Sequence, residues 1–149
     1  VTVTLQFGAV ANIPSSTLYA IARLRMLVFV VEQEAAYADL DGRDVEPGAE
    51  LAWAVDDETG AIAATLRVLD DGDAMRIGRV ATDAAYRGRG IAGDLMTWAV
   101  ARCGERRPGL PIDLDAQQHL APWYARFGFV ISGAAFAEDG IPHVPMRRS

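Results

Sequence analysis

Val1, Val3, Leu5 and Phe7 alternate with Thr2, Thr4 and Gln6, which predicts a strand with one buried face. Pro14-Ser15-Ser16 offers a helix start, after which Leu18, Ile21, Ala22, Arg25 and Phe29 recur at helical spacing. The β-branched cluster in "VFVVEQ" (28–33) predicts the end of that helix. Residues 38–50, "ADLDGRDVEPGAE", read as an acidic loop with at most a short helical turn. Three strands follow, 51–56, 61–70 and 74–82, joined by turns at Asp57-Glu58-Thr59-Gly60 and Asp71-Gly72. From Gly90 to Arg106 the pattern is helical, with Ile91, Leu95, Ala99 and Cys103 on one face.

"LPIDLD" (110–115) predicts another strand, and Leu120, Trp123, Tyr124 and Phe127 form the apolar stripe of a further helix. Gly128 is placed to end that helix in a left-handed turn. "FVISG" (129–133) and "HVPMRR" (143–148) close the chain as strands. The order β-α-β-β-β-α-β-α-β-β defines an α/β fold with a mixed, mostly antiparallel sheet flanked by helices. No repeat or linker interrupts it, so residues 1–149 are expected to form one domain.

Composition narrows the function. The net charge of −6 opposes bulk attraction to nucleic acid or an anionic membrane, so neither is expected as a partner. All fourteen basic residues are arginine, which excludes a lysine nucleophile or Schiff base. Abundant Ala, Gly and Arg without Lys is the coding bias of a GC-rich bacterial genome. The single cysteine, Cys103, allows no internal disulfide and reads as core, and no metal-ligand spacing appears. The first residues show no basic segment followed by an apolar one. A reducing cytoplasm is the expected compartment.

The sharpest local signal is "YRGRGIAGDL" (86–95). Gly88-Arg89-Gly90-Ile91-Ala92-Gly93 matches G-x-G-x-x-G, the dinucleotide-binding turn. That turn should follow directly on a strand within a βαβ unit. Here Asp83–Arg87 intervene, and three strands in hairpin order come first. A phosphate-cradling turn of another kind fits better. Glycines let successive N–H groups face inward, the helix start adds its positive dipole end, and Arg87 and Arg89 supply charge. A solvated turn capping an ordinary helix is the plain alternative.

Arg87-x-x-Gly90-x-Ala92 resembles the acyl-CoA loop, Q/R-x-x-G-x-G/A, of the GNAT acyltransferase superfamily. "APWYARFGF" (121–129) is similar to that family's second signature, a tyrosine-bearing helix ending in Gly-Phe. Residues 23–44, "DAQQHL" (115–120) and "EDGIPHVPM" (138–146) resemble its ElaA-type branch. The resemblance implies acetyl-CoA as cosubstrate, lying between the fourth and fifth strands. Arg87, Gly88, Arg89, Gly90, Ile91 and Ala92 would then hold the pyrophosphate. The backbone of Val80, Ala81 and Thr82 would hold the acyl carbonyl and pantetheine. Gln117 stands where the family often has a cofactor-touching Asn. Tyr124 would protonate the departing thiolate, a role matched by a phenol of pKa ~10. A plain core tyrosine is the competing reading.

The acceptor would be a small-molecule or peptide amine. Glu32, after the first helix, is the candidate general base, with a solvated helix-end carboxylate as its alternative. Asp39 and Asp41, in a run continued by Asp44, Glu46 and Glu50, are candidate acceptor contacts that would draw a cationic amine. His143 is a third candidate for the acceptor pocket. His119 reads as structural. Two rivals remain: a CoA- or phosphate-binding module without turnover, and an enzyme like the acyl-homoserine-lactone synthases. The oligomeric state stays open, a homodimer included.

Overall fold

The computed structural model describes residues 1–149. Its strands are β1 (Val3–Gly8), β2 (Glu50–Asp56), β3 (Ile62–Asp70), β4 (Met75–Thr82), β5 (Ile112–Gln117), β6 (Val130–Ile131), β7 (Phe136–Glu138) and β8 (Ile141–Arg148). The helices are α1 (Ser15–Arg25), α2 (Ile91–Arg106) and the short α3 (Ala121–Ala125). One sheet runs β1-β2-β3-β4-β5-β8-β6, with β7 also on β8. Every pairing is antiparallel except β4 with β5. The mixed, mostly antiparallel α/β sheet expected from the sequence is present.

Strand alternation divides the core into two layers. Ala52 and Ala54 of β2 join Ala64, Leu66 and Val68 of β3 against the buried face of α2, namely Ile91, Leu95, Met96, Ala99 and Cys103. Leu51 and Trp53 turn to the opposite face and meet Ile21 of α1 and Ile13. The sheet is therefore covered on both faces, which is why β3 is buried almost throughout and mostly apolar, Thr65 and Arg67 excepted.

Two elements depart from expectation. The first helix does not stop at the β-branched cluster but widens into a π-helix over Met26–Glu32. Ala35 N–H reaching back to the Val30 carbonyl continues that wide turn. Branched side chains crowd an ordinary α-turn, and the wider turn relieves them. Between the expected strands 129–133 and 143–148, the segment "AEDGIP" (137–142) is not a plain connector. It forms the β7–β8 hairpin, turning at Asp139-Gly140 with both residues at positive φ.

Candidate active site

β4 and β5 pair only through Met75–Ile112 and Arg76–Asp113. Beyond those pairs β5 follows β8 as far as Gln117–His143, while β4 follows β3 to Ala64–Thr82. The two strands have parted, and each presents an edge of unpaired backbone groups to the gap. A bulge bends β4 at this point: Arg79 and Val80 together oppose Leu66. Arg79 adopts φ +52°, a strained conformation that its surroundings must hold. A cavity of about 520 Å³ fills the opening, lined among others by Phe29, Val80, Leu114, Gln117, Tyr124 and His143.

The acidic loop holds the bulge. Asp39 is buried, and its Oδ2 accepts from Arg25 Nε at 3.0 Å. Its Oδ1 lies 2.8 Å from Arg79 Nε and accepts from the Tyr37 hydroxyl at 3.1 Å. Asp41 accepts from Arg67 at 2.8 and 3.2 Å and from Arg79 at 3.2 Å. Burial raises the Asp41 pKa, but hydrogen bonds from Arg67 and the Arg43 amide, with the charges of Arg67 and Arg79, bring it down to about 2. Asp44 accepts from Arg25 at 2.7 Å, Glu46 from Arg43 and Glu50 from Arg102 and Arg106. The candidate acceptor contacts Asp39 and Asp41 thus belong to a run that is paired with arginines and is not a free negative field. Every one of its five carboxylates is neutralised by an arginine. Asp41 lines the cavity and Asp39 does not.

The signal missed in the sequence was positional. Arg25 lies on the apolar stripe of α1 and Arg67 within the apolar run of β3. A buried guanidinium needs carboxylate partners, and the run 39–44 was the nearest supply.

At the far end of β4, Gly88 and Gly90 sit at φ +77° and +76°, a region that glycine enters without strain. A Cβ at either would meet nothing within 4 Å, so the space over the turn is open. Gly90 caps α2 with no side-chain hydrogen bond, and the first helical bond runs from Asp94 N–H to Gly90. The N–H groups of Ile91, Ala92 and Gly93 thus lack helix partners. The Ile91 side chain is core, leaving only its backbone for a ligand. Arg89 lies over the Tyr86 ring at 5.7 Å. Gly93 serves packing, since a Cβ there would touch Phe127.

Arg87 grips Glu32 with two hydrogen bonds of 2.6 Å and donates to the Thr82 carbonyl at 3.2 Å. This pairing argues against Glu32, the candidate base, as a free proton acceptor. The hydrogen bond from Arg87 outweighs a small desolvation and lowers the carboxyl pKa, which weakens it as a proton acceptor. Glu32 is also absent from the cavity wall.

The predicted Tyr124 stands on α3 in the cavity wall, with its neighbours Trp123 and Phe127 packed edge to face. Burial alone pushes its phenol up to about 12. It is therefore held in the acid form. Gln117 donates from Nε2 to Gln33 at 3.2 Å, tying β5 to the end of the π-helix. Of the β4 segment, Val80 lines the cavity, while Ala81 and Thr82 lie in the β3 ladder. His119 stands apart, at the rim of a shallow cleft with Gln118 and Pro142.

A split parallel pair followed by a glycine turn and a helix N-terminus is the layout of an acyltransferase. The sequence of residues 25–149 matches the acetyltransferase (GNAT) domain family, and the chain belongs to that family. It is 41% identical over 135 residues to the protein ElaA of Escherichia coli, covering 89% of this chain and 88% of that one. A UPF0039 protein of Mycobacterium tuberculosis is 39% identical over 141 residues, 92% of this chain and 87% of the relative. Among solved structures, an acyl-CoA N-acyltransferase from Pseudomonas aeruginosa superposes with a TM-score of 0.93 at 36% identity, covering 99% of this chain and 100% of that one. The resemblance to the ElaA-type branch is thereby established. No helix is long and apolar enough to cross a membrane.

Proposed function

We propose that the chain transfers the acetyl group of acetyl-CoA to an amine by direct attack within a ternary complex. The observation that carries this reading is the parting of β4 from β5 between the open glycine turn and the protonated Tyr124. The pyrophosphate fits the unpartnered N–H groups at the head of α2, where the helix dipole favours anions. Arg89 stands beside that turn, and Arg87 would be drawn from Glu32, since an exposed ion pair is weakly held. The unpaired edge of β4 at Val80–Thr82 offers N–H donors for the acyl carbonyl, and such fixed donors stabilise negative charge developing there. Gln117 reaches the same gap. Tyr124 supplies the proton for the leaving thiolate.

Thiol release from acetyl-CoA, measured across a panel of amines, tests this function. Binding of acetyl-CoA without turnover would leave a ligand-binding module, and stabilisation by NAD alone would restore the dinucleotide reading. Gly90→Val isolates the turn: a Cβ there clashes with nothing, but a β-branched residue at positive φ is strained. Its Kd for acetyl-CoA by titration calorimetry should rise at least ~10-fold. Unchanged affinity in a folded variant would put the phosphates elsewhere.

Glu32→Gln should leave kcat within about threefold of the parent, because the pair it breaks is exposed and the carboxylate serves no proton transfer. A hundredfold loss would return Glu32 to the role of base. For the acceptor, a cationic amine remains the best fit, with Asp41 and His143 in the cavity wall. Glu138 and Asp139, at the β7–β8 turn, line the same cavity and make no arginine ion pair.

A further inference from the structure

His143 sits on β8 opposite Gln117 of β5, with its side chain largely shielded from solvent. Its Nδ1 lies 2.8 Å from the Ile141 carbonyl. A carbonyl only accepts, so Nδ1 carries the hydrogen and the neutral ring keeps a bare lone pair on Nε2. Phe136 stacks on the imidazole at 5.8 Å with 22° between the planes, fixing its tilt. Nε2 is 3.7 Å from Glu138 Oε2, too far for a hydrogen bond. The other charged or titratable groups lining the cavity are Tyr37, Asp41 and Arg43 of the loop, Arg67 on β3, Asp71, Arg76 and Arg79 at β4, Asp115 on β5, Tyr124 on α3 and Asp139 in the hairpin turn. All four arginines are committed to aspartates.

We infer that His143 is the general base of the acyl transfer, with Nε2 accepting the proton of the attacking amine. The inference rests on the acyl-transfer reading above. As the amine nitrogen bonds to the thioester carbon, its proton passes to Nε2. The carbon–sulfur bond then breaks, and the thiolate takes the Tyr124 hydroxyl proton. The imidazolium proton returns to the tyrosinate through solvent, which restores both groups. A tautomer-locked base and a protonated acid in one cavity form the pair this chemistry requires.

Two substitutions of the full chain test it. His143→Gln removes the ring, and His143→Asn removes Nε2 while keeping a donor for the Ile141 carbonyl. Thiol release from acetyl-CoA with spermidine, cadaverine and lysinamide is followed from about pH 5.5 to about pH 9, with folding checked by circular dichroism. A base works only when deprotonated, so the parent's kcat/KM should fall toward low pH. Both variants should lose about 10²-fold in kcat and show a flattened low-pH limb, with acetyl-CoA Kd unchanged. A folded His143 variant that keeps the parent's kcat, or keeps its low-pH limb, overturns the assignment of the base. A parent protein that binds acetyl-CoA yet releases no thiol with any of the amines overturns the acyl-transfer reading, and the base with it.

Discussion

Asp39→Ala is expected to lower the unfolding free energy by about 3 kcal/mol or more, the cost of breaking one side of a buried ion pair. Arg25 and Asp39 are 2% and 6% exposed, and the substitution leaves the Arg25 guanidinium with Asp44 as its only carboxylate, beside the residue-39 carbonyl. It also removes one of the two carboxylates on Arg79, leaving Asp41 and the residue-39 carbonyl to hold the strained bulge. For a chain of this length the melting temperature should drop by roughly 10 °C, and urea unfolding gives the free energy directly. Acetyl transfer should fail together with stability, because the same bulge parts β4 from β5. A change below ~1 kcal/mol would mean that the loop is solvated after all. Acid should reproduce part of the effect. The Asp41 pKa, about 2 in the fold against 3.8 ordinarily, is depressed. Its contribution is complete above the ordinary value and disappears as pH falls through about 2.

Tyr124→Phe should cut kcat by ~10² to 10³-fold while leaving acetyl-CoA affinity and the melting temperature nearly unchanged. The ring stays in its aromatic cluster, and only a hydroxyl that makes no protein hydrogen bond is removed. An acid must be protonated to act. With its pKa raised to about 12 by burial, the phenol keeps its proton through the whole working range, so it contributes no alkaline loss of activity there. Wild-type kcat in the variant would make Tyr124 a core residue. An alkaline loss that the variant abolishes would place the working pKa well below 12 and require a charge near the phenol.

The elements whose burial repeats along the chain were legible without coordinates. The 3.6-residue stripe Ile91, Leu95, Ala99 and Cys103 is buried on α2, and the hairpin strands stand within a residue or two of their expected limits. Gly128 closes the turn that follows the Tyr124 helix at φ +90°. Local sterics and hydrophobic period act over a few neighbours, and a few neighbours are what a linear sequence displays. The glycine turn was legible for the same reason.

Pairings between distant residues were not. Arg87 meets Glu32 across 55 positions and Arg79 meets Asp41 across 38, and no local rule orders such partners. Only their tertiary proximity shows that the acidic loop is neutralised and that Glu32 is held. Only the β5–β8 register shows that His143 shares a cavity with Tyr124. The sequence by itself determined the elements, the anion-ready turn and the presence of one well-placed tyrosine. The tertiary structure decided which carboxylates remain free and which imidazole nitrogen is bare. Charge and protonation depend on burial and on partners brought from far along the chain, whereas helix, strand and turn depend on residues close by.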